Sequence, residues 1–335
     1  MEIVAVRKDG VELGLLRDIL GADIDVGSTN DFVLTIDAGD WLSSDLIRDA
    51  DHWYAEGYGE AGGRIKCIKS STKNNQVQLS GYTWRGMLSK KIIEPPEGED
   101  YRIVSGEANT VLAGLIDPCF DGFFVVSDED SGIQINSYQF KRYATLLSGI
   151  VEMLYEVSAR IEITYHVGGF TGYDYNPGYV SIRAVPIVDY SDEIEYSQDG
   201  MIDFTAKDYR MGVNHLICLG KGELKDRQIV HLYMDEDGNV SQTQTFTGMD
   251  EITEIYDYST AETLEDLISY GTARLKERAN YKKLEISLNE IDAQIGDIVG
   301  GRERITGISL KKQIQNIILK IDGKGSLKIT HKVGD

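Results

Sequence analysis

Gln76-Val77-Gln78-Leu79-Ser80-Gly81-Tyr82 alternates polar and apolar residues. Side chains of a strand point to opposite faces in turn, so this alternation marks a half-buried β-strand. Outward from it, the same character fills the first hundred residues. Glu2–Arg7 reads as a short strand, Asp9-Gly10 as a turn and Val11–Leu16 as the returning strand. An Asp-Gly pair between apolar runs tolerates the positive φ that a tight hairpin needs. Phe32-Val33-Leu34-Thr35-Ile36 is a run of strong β-formers. Trp53–Glu56 and Arg64–Ile68 face each other across a glycine-rich turn, and Pro95-Pro96-Glu97-Gly98 then breaks the pattern.

Beyond the break the period changes. Ser105–Ile116 reads as a short helix with Ala108, Val111, Leu112 and Leu115 on one face, and Asp117-Pro118 is expected to end it. Leu146, Leu147, Ile150, Val151, Leu154 and Val157 fall at three- and four-residue steps, which predicts a helix over Tyr143–Ala159. Arg160–Val167 alternates as a strand. Ser259 and Glu262 fit a capping box, predicting a long helix to about Tyr281. Short strands follow at Leu284–Asn289, Ile298-Val299, Ile305–Leu310, Ile314–Ile321 and Leu327–Thr330, spaced as in a small barrel or sandwich. The expected class is therefore α+β and β-rich, with two barrel-like β domains. An N-terminal β-rich domain spans 1–104, a mixed α/β segment 105–185, and a C-terminal barrel-like domain 186–335 with one long helix near 260–281.

Composition narrows the function. Of 335 residues, 41% are hydrophobic, enough for packed cores. No apolar run reaches the roughly 18 residues a membrane helix needs, and Met1–Arg7 lacks the form of a secretory signal. The net charge of −21 repels phosphate, which argues against specific nucleic-acid binding. It suits a soluble surface, or a passage through which DNA slides without sticking. Cys67, Cys119 and Cys218 lie too far apart for a disulfide framework or a zinc site and read as reduced core thiols.

Motifs for chemistry lack their contexts. Gly57-Tyr58-Gly59-Glu60-Ala61-Gly62 matches a dinucleotide fingerprint, but that loop must open into a helix, and here a β run follows. Asp235, Asp237 and Asn239 resemble the start of a calcium loop, yet Val240 and Phe246 stand where Gly and a bidentate carboxylate belong. Asp128, Asp130 and Gly132 fail similarly. His52, His166, His215, His231 and His331 show no helical metal spacing, and His166 and His231 read as ordinary strand residues. No catalytic, cofactor-binding or metal-binding residue is assigned, and no cofactor is expected. The Tyr-rich stretch Gly168–Tyr179 fits a long hairpin tip, a subunit interface or a sugar-stacking site that would use Tyr173 and Tyr175.

Two stretches carry a resemblance. One is Glu195-Tyr196-Ser197-Gln198-Asp199, continuing through Val213-Asn214-His215-Leu216-Ile217-Cys218-Leu219-Gly220-Lys221-Gly222-Glu223 to Arg227. The other is the end of the long helix leading to Ile295-Gly296-Asp297-Ile298-Val299 and the Gly323 turn. Their order over roughly residues 75–331 resembles the Gp37-like tail proteins of siphophages. The resemblance implies a non-enzymatic tail-tip or baseplate-hub component with hub-like architecture. It also implies a homotrimeric ring in the virion tail, assembled in the bacterial host cytoplasm. Such a ring would contact a distal tail or tube protein and tip or fibre proteins, and DNA would pass through it only as cargo. The alternatives are a tail-associated cell-wall hydrolase or a host-glycan binding module. Read physically, Gly220-Lys221-Gly222-Glu223 is a flexible strand end and Gly296-Asp297 a tight turn.

Overall fold

A computed structural model describes residues 1–16, 19–43, 48–58, 60–71, 73–171, 174–191, 202–208, 212–236, 238–261, 263–279, 282–288, 293–302, 309–323 and 325–333. The chain forms two compact units. The first comprises Met1–Asp203, Glu285–Gly301 and Leu310–Gly334, and the second mainly Phe204–Leu284.

The first unit opens with seven strands: β1 Ile3–Arg7, β2 Glu12–Leu15, β3 Ile19–Val26, β4 Asp31–Asp37, β5 Ala50–Ala55, β6 Gly62–Ser71 and β7 Gln76–Thr83. A short helix, α1 (Ala38–Ser43), follows β4, and α2 (Trp84–Leu88) follows β7. The strands pair in the order β2-β1-β5-β6-β7-β4-β3. Alternate residues of β4 (Phe32, Leu34, Ile36) and β7 (Val77, Leu79) are buried, as the period-two pattern requires. Phe32 meets Trp53 edge-on with ring centroids 5.0 Å apart. Two strands lie between β4 and β5, a flat-sheet separation of about 14 Å. The sheet therefore curls strongly on itself.

The middle of the unit comprises β8 (Ile103–Glu107), α3 (Ala108–Phe120), β9 (Phe124–Val126), β10 (Gln134–Gln139), α4 (Leu146–Glu156), β11 (Ala159–His166), β12 (Gly169–Thr171), β13 (Asp174–Asn176) and β14 (Tyr179–Pro186). The Glu107 carboxylate accepts the amides of Asn109 and Thr110 at 3.0 and 2.8 Å, which fixes the start of α3. The helix does not stop at Asp117-Pro118 as expected. Pro118 sits on its exposed side in the last turn, and Asp121 at φ +49° ends the helix soon after. The next helix is shorter than its periodicity suggested. Thr145 Oγ1 caps it by accepting the Ser148 amide at 3.1 Å, and Ser158 at φ +54° turns the chain out of it. β11, β14 and β9 form a three-stranded sheet, antiparallel then parallel. Its inner face (Ile161, Ile163, Val180, Ile182, Phe124, Val126) packs on Leu112 and Ile116 of α3 and Ile150 and Leu154 of α4.

The second unit is built on β16 (His215–Leu219), β17 (Ile229–Met234), β18 (Val240–Ser241) and β19 (Thr253–Asp257), in the order β18-β17-β16-β19. A preceding strand, β15 (Ile202–Asp208), pairs with β20 (Lys282–Leu288). Helix α5 (Leu264–Arg278) covers one face of the four-stranded sheet, with Leu267 and Leu275 against Leu216, Cys218 and Leu232. Its capping box uses Thr263 and Asp266, one turn later than Ser259 and Glu262; residue 262 lies outside the described residues. The tight Ala261-to-Tyr258 backbone turn occupies the stretch where the sequence suggested the start. Gly271 lets the helix approach the sheet, since a Cβ there would lie 2.5 Å from Cys218 Sγ.

The last strands are β21 (Ile298–Arg302), β22 (Ser309–Ile321) and β23 (Leu327–Val333). They do not close into a barrel of their own. Ile317–Ile321 of β22 pairs antiparallel with Val26–Ala22 of β3, so these strands extend the N-terminal sheet to ten. The long β22 offers two backbone edges and takes β3 on one and β23 on the other, covering edges that would otherwise stand open. No sheet closes on itself among the described residues, so the fold is β-rich and multi-sheeted, and the two barrel-like domains are not formed as closed barrels.

Candidate functional site

Among the described residues no three His, Cys, Asp or Glu side chains gather where they could hold a metal ion, and no helix is long and apolar enough to cross a membrane. Gly57–Gly62 lies at the β5–β6 hairpin, with Gly57 at φ +76° and residue 59 outside the described residues. Asp235 closes its own turn by accepting the Asn239 amide at 2.8 Å and the Asn239 side chain at 3.1 Å; Asp237 is not among the described residues. Asp130 accepts the Gly132 amide at 2.8 Å in the same way. Of the thiols, Cys218 is fully buried, and burial pushes it up to about 11. Cys119 is half-buried, and Cys67 is exposed rather than in a core. The pairing slips between Ile65 and Cys67, and β6 beyond Arg64 is largely solvated.

Gly296-Asp297 does more than turn the chain. Gly296 has φ +101°, and a Cβ on it would meet Arg160 Cβ at 2.9 Å. Asp297 is fully buried. One carboxylate oxygen accepts Arg160 Nε at 2.8 Å and the Val188 amide at 3.0 Å, while the other accepts the Gln294 amide at 2.9 Å. A buried charge with this many donors ties the C-terminal strands to the β11–β14 layer. A second buried pair joins Arg85 to Glu60, and Arg85 also donates to the Ile161 carbonyl at 3.4 Å. Next to it His52 lies among Trp84, Phe123 and Tyr165, with Nε2 3.3 Å from the Tyr165 hydroxyl. Burial and then the nearby Glu12 carboxylate push the Tyr165 phenol up, so it stays neutral. These polar groups are spent on one another inside the fold.

The surfaces are more informative. The Tyr-rich stretch forms the β12–β13 hairpin, with residues 172 and 173 outside the described residues. Tyr175 donates its hydroxyl to the Gly10 carbonyl, and Pro177 packs so closely that a Cβ on Gly10 would lie 2.6 Å from it. The hairpin is thus pinned to the β1–β2 turn, leaving Phe170 76% exposed. In the second unit His215 and His231, which show no helical metal spacing in the sequence, meet diagonally across β16–β17. Their ring nitrogens are 2.9 Å apart, and His215 also contacts Glu251 at 2.8 Å and Thr253 at 3.0 Å. They share the sheet face opposite α5 with Ile229 and Ile255, which are 50% and 63% exposed. Gly220–Glu223 is, as read, the loop leaving a strand, with Gly222 at φ +103°. The segment Glu195–Asp199 lies outside the described residues.

No family model matches the chain, and no curated protein matches it in sequence. Solved structures do match in shape. The 43 kDa tail protein of prophage MuSo2 from Shewanella oneidensis covers 99% of this chain and 97% of its own, with TM-score 0.52 and 13% identity. A tail protein from Neisseria meningitidis MC58 covers 100% and 96%, with TM-score 0.49 and 13% identity. Prophage tail protein gp18 from Listeria monocytogenes EGD-e covers 99% and 94%, with TM-score 0.46 and 14% identity. Over nearly its whole length, this chain shares its fold with the MuSo2 tail protein.

Proposed function

We propose that this chain is a structural subunit of a phage or prophage-derived tail tip, a baseplate hub component of the Gp37-like kind. The observation that carries the reading is the end-to-end fold likeness to the MuSo2 tail protein, 99% of one chain against 97% of the other. A likeness confined to one domain would leave the rest of the chain for another task. In this reading the protein is not an enzyme. Three copies form a closed ring through heterologous interfaces, and the curled β-rich parts supply the ring wall. The ring sits at the end of the tail tube and joins the distal tail or tube protein to tip or fibre proteins. The net charge of −21 suits a lumen that DNA crosses without binding. The uncovered apolar positions Ile229 and Ile255 are the kind of surface an assembly buries.

The test is light scattering on the chain, alone and mixed with the tail proteins encoded beside it. A mass of three chains in the assembled state supports the reading. One chain per assembled tail overturns the ring. No observation favours the wall-hydrolase alternative.

A further inference from the structure

The outer face of the β11-β14-β9 sheet is not bare. It forms the floor of an open groove of 690 Å³, walled on the β9 side by the loop carrying Asp128 and Glu129. That volume is in the range of about 300–1,000 Å³ usual for small-molecule sites. Its lining mixes apolar and polar groups in near-equal share. Thr164 and Ser181 pair across β11 and β14 and point hydroxyls from the floor, and Val125 of β9 stands beside Ser181.

One end of the floor is aromatic. Tyr179 is 38% exposed, and directly opposite it on β11 the His166 ring stacks on it, with centroids 4.6 Å apart and planes 16° apart. His166 Nε2 is held 2.7 Å from the Ser181 hydroxyl. His166 covers one face of the Tyr179 ring, and Tyr179 itself lines the groove. The platform is therefore fixed before any ligand arrives, which limits the ordering cost of binding.

We propose that this groove binds a neutral glycan. An aromatic face flanked by hydroxyls and carboxylates suits a molecule with an apolar ring face and a rim of hydroxyl donors. Charge excludes the nearest competitors. Arg183 is clamped by Glu162 through contacts of 2.7 and 3.2 Å, so its charge is already matched. Asp128 and Glu129 make the wall acidic, which disfavours a phosphorylated or carboxylated ligand. An extended peptide finds no ladder here, since the floor is a sheet face and not a sheet edge. The groove is distinct from the Tyr175 contact, which is used within the fold. The inference stands whether or not the chain assembles into a tail.

The experiment is saturation-transfer NMR and titration of the full chain with short uncharged glucan and N-acetylglucosamine oligosaccharides, with a lysine-rich peptide in parallel. Binding is expected with Kd on the order of 1 mM. Tyr179→Ala should weaken it by about three- to tenfold, the loss of one aromatic contact. Val125→Trp, which fills the groove from its floor, should abolish it, so the test survives if Tyr179→Ala fails to fold. Phe170→Ala on the neighbouring hairpin should leave it unchanged. The proposal is overturned if no oligosaccharide binds, if Tyr179→Ala and Val125→Trp bind as well as the parent, or if only the peptide occupies the groove.

Discussion

Two layers of this molecule share a plan: the β11-β14-β9 sheet under α3 and α4, and the β18-β17-β16-β19 sheet under α5. Each covers one sheet face with helix and carries polar groups on the other. They differ in how the covered face is secured. The first layer packs on two helices, extends its core to Trp84 and Leu88, and is pinned by the buried Asp297–Arg160 pair. The second rests on α5, held close to the sheet where Gly271 meets Cys218 and Gly220 meets Leu267. The difference implies unequal stability. Hydrogen exchange should show slower exchange in β11 and β14 than in β16 and β17. Equal protection would break the comparison.

The largest effect is expected at Asp297. Asp297→Ala leaves the Arg160 guanidinium and the Val188 and Gln294 amides without their acceptor. Removing one partner of a buried pair costs about 3–5 kcal/mol. Urea unfolding should show that loss in the first unit, with the β16–β17 signals unmoved. Next comes Gly271→Ala. Its Cβ would press on Cys218 Sγ and, at 2.8 Å, on Leu232 Cδ1, and such overpacking costs about 1–3 kcal/mol. Cys218→Ala in the same chain should recover part of the loss; no recovery would show that the helix approach is not limited there.

A smaller effect is expected at Glu107. Burial pushes this carboxyl up, but hydrogen bonds from the Ser131 hydroxyl and the amides of Asn109, Thr110 and Ser131 outweigh it and hold it down to about 2. A carboxyl depressed on folding stabilises fully above its unfolded value of about 4.3. That stability is lost as pH falls from there toward about 2. Glu107→Gln should flatten the acid limb of the melting profile in that window and cost about 1 kcal/mol at neutral pH. Of the same order is Tyr175→Phe. It removes only the hydrogen bond to the Gly10 carbonyl, worth about 0.5–1.5 kcal/mol. It should loosen the hairpin in exchange measurements and leave the rest of the unit alone.

Local pattern carried well. The alternation in Gln76–Tyr82 and the β run at Phe32–Ile36 became β7 and β4, and the three- and four-residue steps around Ile150 became α4. The turn at Asp9-Gly10 formed where the residues tolerate it, with Gly10 at φ +84°. Non-local pairing was not legible. Nothing in Ile314–Ile321 distinguishes a strand of its own barrel from one that seeks β3 nearly the whole chain away, since backbone edges carry no letter code. Asp297 read as a turn residue because burial depends on Arg160, which spacing cannot connect to it. The His215–His231 contact follows from the β16–β17 register, which the alternation alone leaves open. The groove at Tyr179 was missed for the same reason: His166 and Tyr179 meet only once β11 and β14 pair.

The tail-tip account is tested most directly by cryo-electron microscopy of tails purified from cells that produce the particle. The account predicts density for three copies of this chain in a ring at the tube end, with the β16–β17 face against a neighbouring subunit. Tails that lack the chain, or that carry a single copy, would contradict it.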